Sequence, residues 1–254
     1  MTWSNATIMF GTLAVVALGL RLRPGHPVSK ADRTSHNEVA AAIFAMIGVL
    51  YAVLLAFVVI VVWEASDEAR ATTFRESDHL AGLYWNARQF PSAEGGELTT
   101  LTLQYAHSVI EDEWPLMMDG HRSAARTTEL VYRIRDTANA LAPTGPGQQL
   151  QFERAVAHVE GLASERRARL TQIEDAVPPL LWAPLILGAV LTIAFTFLFS
   201  ISSVRLHTVM VLLMTAMICV ALIVVKELNY PFDGLSSVHP DAFEVFLARL
   251  PTTH

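Results

Sequence analysis

The chain holds one cysteine, Cys219. No intramolecular disulfide can form, and cysteine usage says nothing about redox compartment. No charged side chain falls inside four long apolar stretches, which argues against a buried carboxylate relay of the kind a proton-coupled transporter needs. No basic cluster with interleaved aromatics occurs, and the net charge is −6, so nucleic acid is not an expected partner. Strand-like alternation, internal repeats and low-complexity tracts are also missing. No nucleophile stands at useful spacing from a base: His107 lies one turn before Glu111 with nothing to act on. The residues therefore point to no catalysis, no cofactor and no metal centre.

What is present in excess is apolar chain. Hydrophobic residues make up 52% of the sequence and the mean hydropathy is +0.38. A bilayer core about 30 Å thick asks for about 20 apolar residues in a row. Met1–Leu20, Val39–Trp63, Val177–Ser203 and Leu206–Val225 each qualify. The fold class expected is an all-α integral membrane protein with four transmembrane helices. Residues 1–63 form the first two spans and a short basic loop, and residues 177–225 form spans three and four. Arg21 and Arg23 follow the first run, the layout of an uncleaved anchor.

Residues 64–176 carry 11 arginines, no lysine and 18 acids, a net charge of −7. Helical periodicity runs through the segment, broken at Pro91, at Gly95-Gly96 and at PTGPG (Pro143–Gly147). Glu64–Phe90 extends the second span. Leu98, Leu101, Tyr105 and Val109 mark the next helix. Leu130, Ile134 and Ala138 mark a third, and Phe152, Val156, Val159 and Ala163 a fourth. The expectation is a helical bundle inserted between spans two and three. In the remaining tail, residues 226–254, Tyr230-Pro231-Phe232 lies at a membrane exit. Phe243, Phe246, Leu247 and Leu250 form an amphipathic face, which lies on the bilayer or packs on a partner helix.

Several of these segments together are similar to a known family: GVLYAVLLAFVVIVVWE, EDEWPLMM, RRARLTQIEDAVPPLLWAPLILGAVLTI, RLHTVM and LNYPFDGLSSVHPDAF. They resemble the bestrophin-like domain family of bacterial membrane proteins. Glu113-Trp114-Pro115 and the Pro231-Phe232-x-Gly234 element are its most specific parts. The resemblance implies a multi-pass protein of the bacterial inner membrane that assembles with itself, as a pentamer, and passes inorganic ions, anions among them. It also implies a pore lined by the second membrane helix. Tyr51 and Phe57 are the aromatic counterparts there, six residues apart and on different faces. Phe57 and Val61, one turn apart, would form a hydrophobic constriction.

Other candidates come from the residues alone. In EDEWPLMMDG (Glu111–Gly120) three consecutive acids point about 100° apart and cannot share one ion. Pro115 disfavours helix at Trp114, so the helix should end or kink there and leave Trp114, Met117 and Met118 to plug the bundle. Cation or proton sensing and partner contact are the alternatives. On the third span Gly188, Thr192, Thr196 and Ser200 recur every four residues, followed by Ser203. That face is either a close packing surface with hydroxyls bonded to their own helix or the wall of a pore. Arg21, Arg23, Lys30, Arg33 and Arg205 lie in short connections, and the positive-inside pattern would place the bundle outside the cell. The resemblance implies a cytoplasmic bundle. Two function classes follow: an oligomeric ion channel or passive pore, and a non-conducting membrane protein whose bundle binds a partner or ligand.

Overall fold

The computed structural model describes residues 30–120, 122–174, 177–199, 203–234 and 237–250. Eight α-helices and one π-helical turn occur among them: α1 (Lys30–Ala87), α2 (Ala93–Ser108), the π turn (Val109–Glu113), α3 (Trp114–Gly120), α4 (Ala125–Asn139), α5 (Pro146–Thr171), α6 (Pro179–Thr196), α7 (Val204–Leu228) and α8 (Asp241–Ala248). No strand occurs among the described residues. Three helical stretches are long and apolar enough to cross a membrane: Asn37–Ala87, Pro179–Thr196 and Val204–Leu228. The first apolar run, Met1–Leu20, lies outside the described residues.

The chain divides into two units, Met1–Trp63 with Val177–Asn229 and Glu64–Ala176 with Tyr230–His254. In the membrane unit, α1 buries Ala40, Tyr51, Val58 and Val62. The Tyr51 ring fills the notch left by Gly188, where a Cβ would come within 2.5 Å of the ring. Phe44 packs on Phe195 and Phe199 of the α6 end, with centroids 6.2 and 5.6 Å away. The third span is shorter than the apolar run that encodes it. At 18 residues α6 already rises about 27 Å, enough for a hydrocarbon core. The aromatic and hydroxyl residues after Thr196 are weaker helix formers. His207 Nε2 lies 3.0 Å from the Thr196 carbonyl, one of the acceptors that a helix C-terminus leaves unpaired. Asn229, 2% exposed, closes the other end of the hairpin by accepting from Val177 N at 2.7 Å.

The second unit is built on alternating three- and four-residue spacings. Along α1 the positions Ala69, Thr73, Glu76, Leu80, Leu83 and Ala87 are all buried. Leu98, Leu101 and Tyr105 of α2 and Leu130, Ile134 and Ala138 of α4 face the same core. Ser92 caps α2, its side chain accepting from Gly95 N at 3.3 Å. On α5 the buried face keeps Val159 and Ala163 of the expected set but is completed by Ala155, Leu162, Arg166 and Arg169 rather than by Phe152 and Val156. Phe152 and Val156 are only half-buried. The face is turned because two arginines occupy core positions and bring their partners with them. The tail helix α8 belongs to this core: Phe243 meets Tyr105 and Phe246 meets Tyr84, with centroids 6.4 and 6.0 Å apart. Ser77 Oγ donates to the Ala242 carbonyl at 2.8 Å.

Candidate functional site

In the bundle, EDEWP sends its three acids to three places. Glu111 is exposed beside His107. Asp112 accepts from Ser108 Oγ at 2.9 Å and pairs with Arg126 at 3.4 Å. Glu113 is fully buried, with one oxygen 2.5 Å from Arg166 Nη2 and the other 2.8 Å from Arg169 Nη2. Arg169 also donates Nε to Glu76 Oε2 at 2.6 Å and Nη2 to Glu76 Oε1 at 3.0 Å. The Tyr105 hydroxyl donates to the same Glu76 carboxylate. Two guanidinium and two carboxylate groups thus neutralise one another inside the core.

Charge inside a core is tolerated only when paired and hydrogen-bonded. Burial alone would push the Glu113 carboxyl up, but Arg169 and Arg166 outweigh it and hold it below the usual carboxylate range. Burial works against the Arg169 charge too, and Glu76 and Glu113 overcome it, leaving Arg169 firmly cationic. Burial, then the Glu76 charge, pushes the Tyr105 phenol well up, so it remains a donor.

The helix does not stop at Trp114. The preceding turn widens into the π turn, and α3 continues with Pro115 in its first turn. A π turn relieves the clash of a proline ring with the carbonyl four residues back, which explains why the expected break is absorbed rather than made. Trp114 is 2% exposed. Its ring packs edge-on against Phe232 with centroids 5.6 Å apart. Its Nε1–H donates to the Val238 carbonyl at 3.3 Å, and Arg169 lies 5.4 Å from its centroid. The two sequence motifs therefore meet: Glu113-Trp114-Pro115 seats on the Pro231-Phe232-x-Gly234 turn. The Pro231 carbonyl accepts from Val238 N at 2.8 Å, and Gly234 takes φ 95°, a conformation that favours glycine. Met117 is buried, whereas Met118 is 39% exposed.

In the membrane unit, Thr192 and Thr196 are buried, with hydroxyls that donate to the carbonyls of Gly188 and Ile193, each at 2.6 Å. Ser203 lies past the end of α6 and caps α7, its Oγ accepting from Leu206 N at 3.4 Å. Ser200 lies outside the described residues. The hydroxyls are thus not brought together as one open face. Phe57 is 64% exposed and Val61 39%, opposite the buried Tyr51, Val58 and Val62. Met46, Leu50, Val53, Phe57 and Ile60 continue that uncovered stripe at three- and four-residue spacing.

A family model, the bestrophin-like domain, matches residues 11–243. The chain belongs to the bestrophin-like domain family. Two solved structures share its fold. One is a bacterial bestrophin homologue from Klebsiella pneumoniae carrying a point mutation, with TM-score 0.68 and 11% identity over 94% of this chain and 96% of that one. The other is a membrane protein, with TM-score 0.66 and 12% identity over the same shares. No curated protein matches the chain. For a bestrophin-like chain, sequence reasoning found Glu113, Trp114 and the Pro-Phe-x-Gly turn but missed Glu76, Arg166, Arg169 and His207. The signal for the arginines was present, since Val159, Leu162, Arg166 and Arg169 keep one helical face. Among the described residues no group of three or more His, Cys, Asp or Glu side chains could hold a metal ion.

Proposed function

We propose that the protein is an oligomeric membrane channel whose pathway is lined by α1, with Phe57 and Val61 forming a hydrophobic constriction. The observation that carries this reading is the division of the α1 span: one face is packed within the protomer, and the opposite apolar stripe through Phe57 is uncovered. Family membership supports a channel, and repetition of the chain around an axis would bring the stripes together. The competing wall, the α6 hydroxyls, has its oxygens turned to its own backbone. A pore without a charged ring discriminates weakly between ion signs, so anions are the family-based expectation for the permeant species.

The test is conductance of purified protein in planar bilayers. Phe57→Ala should raise conductance severalfold, and Thr196→Val should leave it unchanged. The reverse pattern would move the wall to α6. If the parent and both variants are silent across pH and ion type, the alternative gains: a non-conducting protein whose bundle binds a partner. A cavity of about 290 Å³ beside Phe74, Trp85 and Phe246 is where that alternative would begin.

A further inference from the structure

Within the bundle, the extramembrane part of α1 and helix α5 run antiparallel along a seam of polar and small residues. Gln172 Nε2 donates to Thr72 Oγ1 at 3.2 Å, and Arg75 Nε donates to Glu165 Oε2 at 3.0 Å. Contacts that advance along α1, from Thr72 to Arg75, fall back along the other side of the seam, from Gln172 to Glu165. The next two steps are reciprocal: His79 lies over Gly161, and His158 lies over Gly82. Each histidine is followed three residues later by the glycine that receives the other ring. A Cβ at either glycine would collide with the opposing imidazole, so the rings are pressed against backbone with no room for a side chain beneath them.

These sockets bring the two Nδ1 atoms to 3.3 Å. The ring centroids are 5.6 Å apart. That is close to the nitrogen separation plus one ring radius at each end, so the nitrogens face one another in line. This is the geometry of a shared N–H···N proton. A tetrahedral Zn²⁺ with Zn–N about 2.0–2.1 Å would hold two nitrogens about as far apart, but with the line between the rings bent at the metal.

A neutral imidazole offers one donor and one acceptor, whereas a protonated one offers two donors. Two neutral rings can share the Nδ1 proton. So can one neutral and one charged ring, with the bond strengthened. Two charged rings cannot: their hydrogens and their charges would face each other across the same gap. Each half-buried ring lies over the other helix's glycine, so two charged rings would be held face to face across the seam or would have to give up that seat. We propose that His79 and His158 form an acid-sensitive latch, which holds this stretch of α1 to α5 while at most one ring is charged and loosens it when both are, the Glu76–Arg169 pair keeping the helices joined next to it.

The surrounding charges favour release. Arg154, one turn before His158, adds positive charge, while Arg75 is already engaged by Glu68 and Glu165. Asp78, next to His79, and Glu160, two residues past His158, are exposed and turned about 100° and about 160° away from those rings around their helices. Burial first, then His79 and Arg154, hold His158 below its ordinary 6.5. A depressed histidine is neutral in the fold and takes up its proton more readily when unfolded. Its contribution is therefore complete above 6.5 and is lost as pH falls from there toward the folded value.

The inference concerns the bundle alone and holds whether or not the protein conducts. The test is amide hydrogen exchange on the full chain in detergent, corrected for intrinsic rates, at about pH 7.5 and about pH 5.5, a window that spans histidine titration. Acid should lower protection of segments 76–86 and 155–165 about tenfold more than that of α4. His158→Gln and His79→Gln each keep an amide that can hydrogen-bond but cannot take a second charge. Either one should bring the seam down to the α4 level of change, so one folded variant suffices for this comparison. The proposal is overturned if the seam and α4 respond alike in the parent chain, or if a folded variant keeps the full acid response. It is also overturned if Zn²⁺ at the higher pH protects the seam of the parent but not of the variants, since the pair would then be a metal site.

Discussion

The membrane unit and the bundle both bury polar side chains, and the mid-span hydroxyls of the one are satisfied by different means from the charged groups of the other. Thr192, Thr196 and Thr215 each donate to a carbonyl three or four residues back on their own helix. Glu76, Glu113, Arg166 and Arg169 find partners between 53 and 93 residues away. In hydrocarbon no water is at hand, so a helix that satisfies its own polar groups can pack and slide as an apolar rod. In the bundle, the cluster ties α1, the π turn and α5 into one register, because shifting any one of them would strand a buried charge. Along their length the membrane helices are therefore held by shape, with His207 and Asn229 bonding across only at the two ends of the hairpin, whereas the bundle helices are held by specific bonds inside the core.

The sharpest way to break this contrast is Arg169→Leu. It removes the one group that bridges Glu76 and Glu113, leaving Glu76 with only the Tyr105 hydroxyl while Glu113 keeps Arg166. Removing one partner of a buried ion pair costs about 3–5 kcal/mol, and that range is expected because Glu76 keeps no positive partner. Thermal or denaturant unfolding of the full chain in detergent measures it. A loss under about 1 kcal/mol, the range of exposed pairs, would mean that water reaches the cluster and that the bundle is not locked by it.

The same contrast explains what could be read in the sequence. The spans at residues 39–63 and 206–225 follow from unbroken apolar length, and the stripes Leu98–Leu101–Tyr105 and Leu130–Ile134–Ala138 from periodicity, both of which are local properties. The hydroxyl bonds of Thr192 and Thr196 were one of two alternatives that spacing alone allows. The ionic cluster was not legible, because nothing in EDEWP says which of its three acids turns inward or that the answer lies in the RRAR segment. The half of the signal that was available is the phase of α5: carrying Val159 and Leu162 forward puts Arg166 and Arg169 inside. Pro115 misled because a proline ends a helix only when the turn before it cannot widen. The uncovered Phe57 stripe was ambiguous for another reason. A span is apolar all round whether lipid, another copy or a pore stands against it.

A second and smaller effect is expected at the seat of the two motifs. Trp114→Ala empties the space against Phe232 and frees the Val238 carbonyl of its donor. Replacing a buried tryptophan by alanine costs about 3–5 kcal/mol, and the lower end is expected because the ion pairs remain. The melting temperature should fall by the same amount with and without added Ca²⁺. Calcium-dependent stabilisation of the parent, abolished by Glu113→Gln, would instead assign the motif a sensing role and break the view of the cluster as purely internal.

The smallest effect gives the finest test. Thr215 is fully buried, and its hydroxyl donates to the Val211 carbonyl at 2.8 Å, an acceptor that the helix already supplies with a backbone donor. Thr215→Val replaces that hydroxyl with a methyl of the same shape and strands no partner. The cost should stay within about 0.5 kcal/mol, because a back-bonded hydroxyl slightly strains its helix and its loss relieves that strain. Thr127 in the bundle is equally buried, but its hydroxyl meets Ser108 Oγ of another helix at 2.8 Å. Thr127→Val should cost about 1 kcal/mol, since Ser108 Oγ loses its partner on the other helix while keeping Asp112. The comparison of these two isosteric changes isolates bond range from burial and volume. If they cost the same, burial rather than the distance to the partner governs both units, and the division between packing by shape and packing by specific bonds does not hold.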